Sequence, residues 1–244
     1  DVERSRGLGD VYKRQTQNIA AVPFLWVLPL SLYLLTFVLC FESDRWYRRG
    51  LFVPLAAAML ALCAYQLQDG AGLKIHTALT IHVAGLFVLC MFLHGETARL
   101  RPAPAHLTRF YLMLSLGGAI GGVTVGLGAP YLLPAYYELG IGLVLAALLG
   151  ALVLRARWLL WVPGVGLAAC CAWLLAEQVR SDHEGLRTLG RNFYGSMHTY
   201  DVRRQDPPDY VRQFVHGSIK HGEQFLSPER RREPTTYYLS LIHI

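Results

Sequence analysis

Charge is what this sequence has least of. Only 16% of its 244 residues are Asp, Glu, Lys or Arg, where soluble domains carry about a quarter, so an ordinary water-soluble globule is excluded. Metal-binding cysteine pairs are missing too. The five cysteines (Cys40, Cys63, Cys90, Cys170, Cys171) all lie inside apolar runs, with no CxxC and no Cys/His spacing suited to zinc. That excludes a disulfide scaffold and a zinc module as leading readings. No Asp, Glu, Lys or Arg stands at the centre of an apolar run, which argues against a complete ion-coupled carrier. The formal charge of +6 comes from basic residues scattered through flanking loops and a mixed-charge tail. It reads as membrane topology, and no nucleic-acid partner is expected.

An early methionine is also lacking. Residue 1 is Asp and the first Met is Met59, inside an apolar run. Ser5–Gln15 (SRGLGDVYKRQ) and Leu239–Ile244 (LSLIHI) resemble translated adapter sequence. Residues 1–15 and 239–244 are therefore expected to be non-native, and the informative chain to lie between them.

What remains divides into two regimes, a body over residues 16–179 with long apolar runs and a polar tail from Arg180. A spanning helix needs about 20 mostly apolar residues to cross roughly 30 Å of hydrocarbon. Six stretches qualify: Ile19 to Phe41, Leu51 to Gln68, Ile75 to Leu93, Phe110 to Leu133, Tyr136 to Leu154 and Trp158 to Ala176. Charged or turn residues bound each of them. The predicted fold is thus mainly α, a polytopic membrane bundle of about six spans followed by a short, incomplete β-hairpin unit. Trp26, Trp46, Trp158 and Trp161 fall near segment ends, as interfacial anchors do. Pro23 and Pro29 predict a kink in the first segment.

The fourth segment reads SLGGAIGGVTVGLGAP. Gly117, Gly118, Gly121, Gly122 and Gly126 recur four apart, which leaves one helix face nearly bare backbone. A close-packing seam is the first expectation, a hinge or substrate passage the second. His82 stands mid-segment in the third run and is expected to bond a neighbouring helix, a proton relay being the sharper alternative.

Arginines cluster in alternate loops. Arg45, Arg48 and Arg49 follow the first segment, Arg99, Arg101 and Arg109 the third, and Arg155 and Arg157 the fifth, whereas the intervening loops hold only Lys74. The positive-inside rule places those three loops in the cytoplasm, so an even number of spans puts the tail outside. The tail opens with Arg180, Arg187 and Arg191, which pull the other way.

In the tail, Asn192–Val202 has strand-like aromatic and β-branched content, Asp206–Asp209 is a turn, Tyr210–Val215 reads as a second strand ending at His216-Gly217, and a third short strand is expected around Glu223–Leu226. The stretch Ser227–Tyr238 reads as a loop.

Three long stretches carry a family resemblance: Thr16–Arg49 (TQNIAAVPFLWVLPLSLYLLTFVLCFESDRWYRR), His94–Gly122 (HGETARLRPAPAHLTRFYLMLSLGGAIGG) and the Arg191–Tyr238 region with RNFYG and HGSIKHGEQFLSPERRREPTTYY. They resemble bacterial fused membrane-domain/spermidine-synthase-like proteins, a polyamine aminopropyltransferase-like family, over nearly the whole chain. The resemblance implies a membrane region followed by a small β unit and then a Rossmann-type domain. Residues 180–238 would be the start of that soluble part, and the chain a bacterial fragment whose partners are the lipid bilayer, upstream helices and a downstream catalytic domain of the same protein. The implied activity is transferase chemistry, aminopropyl transfer from decarboxylated S-adenosylmethionine to a polyamine precursor. No catalytic residue, metal or cofactor is expected in the fragment itself, the donor being the full-length family's co-substrate. By resemblance Gln224 lines the donor pocket, Tyr237 or Tyr238 lies near the amine pocket, and His216 and His221 are substrate-binding candidates, the alternative for both histidines and Gln224 being support of the hairpin. His216 stands where the synthases place Asp, and its spacing to Gln224 is longer than their Asp-Gly-x-x-Gln pattern. Multi-pass insertion in the inner membrane is expected. The alternative function is a polyamine or small-solute transporter or sensor with an accessory soluble domain.

Overall fold

Where apolar residues run on without charge, the backbone can satisfy its own N–H and C=O groups only by coiling, and this chain coils. A computed structural model describes residues 23–68, 74–192, 194–205, 208–217, 219–233 and 235. The helices are α1 (Pro23–Glu42), α2 (Arg49–Gln66), α3 (Ile75–Arg99), α4 (Leu107–Val123), the single turn α5 (Ala129–Leu132), α6 (Glu138–Leu154) and α7 (Trp158–His183). Four helical stretches are long and apolar enough to cross a membrane: Arg49–Gln66, His76–Arg99, Pro104–Leu132 and Trp158–His183. Val27–Glu42 and Glu138–Leu154 are shorter apolar helices.

The fourth expected span is not one regular helix. A 3₁₀ turn at Pro104–His106 precedes α4, and a π-helical stretch, Thr124–Gly128, separates it from α5. Pro130 has no N–H to give the Gly126 carbonyl, so the ladder loosens there, and Ala129 N–H reaches back five residues to the Thr124 carbonyl.

Two apolar clusters hold the helices together, and α2 serves both. One joins Leu60, Cys63 and Ala64 of α2 to Leu143, Ala146 and Ala147 of α6 and Ala168 and Cys171 of α7. The other joins Cys40 of α1, Phe52 and Ala56 of α2 and Met91 and Phe92 of α3. Small residues let the backbones approach: a Cβ added at Gly164 of α7 would meet Ala151 Cα of α6 at 3.4 Å. The close-packing seam thus lies between α6 and α7. On α4, by contrast, no residue is buried, and a Cβ added at Gly117, Gly118, Gly121, Gly122 or Gly126 would meet nothing within 4 Å. The seam expected on that glycine face is not formed among the described residues.

After α7 the chain forms a four-stranded antiparallel meander in the order β1 (Leu186–Asn192), β2 (Gly195–Gln205), β3 (Pro208–His216) and β4 (Ile219–Phe225). The polar tail that starts at Arg180 opens with the end of α7 followed by β1, so the unit has one strand more than the three read from sequence. Leu186–Asn192 is an inconspicuous strand by composition; it is held by pairing with β2, Thr188 opposite Thr199 and Asn192 opposite Gly195. Of the turn expected at Asp206–Asp209, residues 206–207 lie outside the described residues, and Pro208 and Asp209 already belong to β3, opposite Gln205 and Arg204. Val211, Val215 and Phe225 are buried in the sheet.

Candidate functional site

Of the residues singled out by resemblance, the sheet brings two together. His216 ends β3 and His221 lies on β4, their ring centroids 5.7 Å apart, with Phe214 at 6.2 Å from His221. Gly195, at φ +149° in the β1–β2 turn, lets the His216 ring approach, since a Cβ there would sit 2.7 Å from Nε2. Gln224 is exposed near the end of β4, opposite Arg212, and its Nε2 donates to the Arg231 carbonyl at 3.3 Å. No hydrogen bond or ring contact joins Gln224 to either histidine among the described residues. Tyr237 and Tyr238 lie outside the described residues.

The middle of the sheet carries an ion-pair row. Asp201 of β2 accepts from Arg212 Nε (2.8 Å) and Nη2 (3.1 Å) on β3 and from Arg187 Nε (2.8 Å) on β1. The hydrogen bonds from Arg212, joined by those from Arg187, hold the Asp201 carboxyl down at about 2 and raise Arg212 in turn. This row spans three strands and fixes their register. It is a structural device: both acceptor oxygens are occupied by cations of the same chain.

Arg191 ties the sheet to the helical body. Arg191 of β1 pairs with Glu138 at 2.6 Å, donates to the Ala135 carbonyl at 3.0 Å and lies over the Tyr136 ring at 4.1 Å from its centroid. All three partners belong to the loop before α6 or its first residue. Arg191 is only 8% exposed, so the clamp is desolvated and geometrically specific. In sequence Arg191 is a topology signal and nothing marks Glu138 as its partner. Only the fold brings them together.

The bundle hides a second polar cluster that sequence reading missed. Glu96, 7% exposed on α3, accepts from Arg49 Nε at 2.8 Å and Nη2 at 2.5 Å and from the Tyr47 hydroxyl at 2.6 Å. Burial, followed by the bond to Glu96, raises the Tyr47 phenol above its usual range. Close by, Thr36 of α1 donates to the Tyr33 carbonyl (2.9 Å) and shares a hydrogen bond with His94 Nδ1 (3.1 Å), the imidazole lying edge-on to Tyr33 and Phe37. The available signal was a lone Glu inside the last two turns of an apolar segment, where an unpaired carboxylate would be costly. Among the described residues His82 bonds no neighbouring helix: its Nδ1–H donates to the Ala78 carbonyl one turn back, at 2.8 Å.

Among the described residues no group of three His, Cys, Asp or Glu could hold a metal ion. Chemically, then, the sheet end offers an exposed amide and two adjacent imidazoles, while the buried Glu96 carboxylate is taken up by Arg49 and Tyr47. No protein-family model, curated protein or solved structure matches the chain.

Proposed function

We propose that this chain is the membrane-anchoring part of a spermidine-synthase-like, aminopropyltransferase-like protein, with about six helices crossing the inner membrane in multiple passes. The observation that carries the reading is the antiparallel β unit that follows the last apolar helix with a two-residue gap, α7 ending at His183 and β1 beginning at Leu186. That succession is the one the family resemblance implies. Gln224 supports it: the residue is exposed near the end of the last strand, where its Oε1 has room to accept from a donor ligand. In the intact protein the sheet would stand at the entrance to the donor domain and the bundle would hold that entrance at the lipid surface. The test is binding of decarboxylated S-adenosylmethionine, or of its thioether product, to the purified intact gene product. Saturable binding that weakens on Gln224→Ala supports the reading, and absence of binding overturns it.

One observation favours the second reading, a polyamine or small-solute sensor or transporter domain with an accessory sheet. Arg191 clamps the sheet to the loop before α6, whereas Arg155 and Arg157 lie in the loop at the other end of α6. If the arginine loops face the cytoplasm, the sheet faces away from the compartment that holds the nucleotide donor. Transport or polyamine-responsive signalling that disappears with the gene, in a protein that binds no donor, is the outcome this reading requires.

A further inference from the structure

The loops at the arginine-rich end of the bundle enclose a cleft of about 520 Å³ between the C-terminal ends of α1 and α3, lined by Asp44, Tyr47, Gly95, Ala98, Arg99 and Arg101 among others. Its floor is built rather than incidental. The Tyr47 ring lies directly on the α3 backbone at Gly95, where an added Cβ would come within 2.6 Å of three ring atoms, and its hydroxyl is anchored on Glu96. The hydrogen bonds of Glu96 are taken up by Arg49 and Tyr47, and Arg99 is near enough to act on it only through charge. Arg99 and Arg101 are exposed, and neither forms an ion pair among the described residues. Arg101 is instead oriented by the Phe41 carbonyl (3.3 Å) and stacks over the Phe41 ring at 5.5 Å. Asp44, also exposed, has no ion-pair partner either. The lining therefore presents two exposed guanidinium groups and one exposed carboxylate without an ion-pair partner among the described residues, at the depth where an apolar bundle meets its polar loops.

Guanidinium groups bind phosphate oxygens through paired, charge-assisted hydrogen bonds, and basic clefts between helix ends on the arginine-rich side are where lipid headgroups dock. We propose that this cleft holds the phosphate of a phospholipid headgroup, Arg99 and Arg101 donating to its oxygens and Asp44 facing the ammonium of a zwitterionic head such as phosphoethanolamine. Soluble phosphate shares the tetrahedral chemistry but would use neither Asp44 nor the neighbouring lipid. The inference is independent of any aminopropyltransferase activity.

Native mass spectrometry of the full chain released from detergent micelles tests it, with phosphatidylethanolamine, phosphatidylglycerol and diacylglycerol as probes and millimolar inorganic phosphate as competitor. Phosphatidylethanolamine is expected to be retained over phosphatidylglycerol, and diacylglycerol not to be retained. Arg99→Ala/Arg101→Ala should lower retention by about tenfold, the order expected for losing charge-assisted hydrogen bonds. Arg155→Ala/Arg157→Ala, in another loop, should leave it unchanged, and Asp44→Asn should erase the preference for the amine headgroup. Both arginines are exposed, so the variants should keep the helical circular-dichroism signal, which is the check on folding. Retention that survives the double arginine variant, or equal retention of diacylglycerol, overturns the proposal. Displacement by inorganic phosphate overturns the lipid assignment, and an Asp44→Asn variant with an unaltered headgroup preference overturns the role of Asp44.

Discussion

Glu96 is the residue on which most depends inside the bundle. Its side chain is 8% exposed and that of Arg49 27%, so each partner is needed to justify the burial of the other. Arg49→Met should cost about 3 kcal/mol, because it leaves the carboxylate buried with only the Tyr47 hydroxyl as donor. The double variant Arg49→Met/Glu96→Leu should cost less than the single, since an apolar pair removes the desolvation penalty along with the attraction. Unfolding in a denaturing-detergent titration followed by circular dichroism measures both. Asp201 governs the sheet's response to acid. Its folded value of about 2 lies below the ordinary 3.8. The ion pairs with Arg212 and Arg187 are therefore fully stabilising above about pH 4 and are lost as pH falls toward 2. Limited proteolysis of the sheet across that window should show increasing cleavage, and Arg212→Gln should flatten the dependence. In sequence both groups were ordinary charges, Glu96 a residue closing an apolar run and Asp201 one acid among many in a mixed tail. Their partners are 47 and 11 residues away along the chain, and no local pattern encodes such pairings.

At the scale of elements, the apolar segments were legible because length and charge exclusion are local properties: α2 and α6 fall within two residues of the expected bounds, whereas α3 and α7 run six and seven residues further and the fourth segment is broken by its π-helical stretch. Glycine's role was not legible, because a small residue announces room without saying what fills it. The stripe on α4 faces nothing among the described residues, while inconspicuous Gly95 carries the Tyr47 ring. Gly95→Ala should destabilise the bundle by about 1–3 kcal/mol, the cost of overpacking a site whose neighbour is a rigid ring. Gly121→Ala should be neutral or stabilising by up to about 1 kcal/mol through helix propensity. The same detergent titration distinguishes them, and a destabilising Gly121→Ala would mean that the α4 face is covered after all. The strands were legible in part. Aromatic and β-branched residues mark β2 and β3, but β1 contains Arg187, Gly190 and Arg191 and becomes a strand through its partner rather than through its composition.

For the whole molecule the central claim is an arrangement: a bundle of apolar helices with its arginine loops at one end and a sheet clamped at the other. Sequence arithmetic already placed the arginines on alternate loops. The structure adds the clamp of Arg191 on Glu138 and Ala135, which ties the sheet to the end of α6 remote from Arg155 and Arg157. The most direct measurement is labelling of single introduced cysteines with a membrane-impermeant maleimide in intact and lysed cells. One cysteine replaces Tyr194, which is 85% exposed in the β1–β2 turn, and the other replaces Arg157 in the loop between α6 and α7. The arrangement predicts that the two positions are never labelled from the same side, and that, under the positive-inside rule, Tyr194→Cys is the one reached in intact cells. Labelling of both from one side would contradict it.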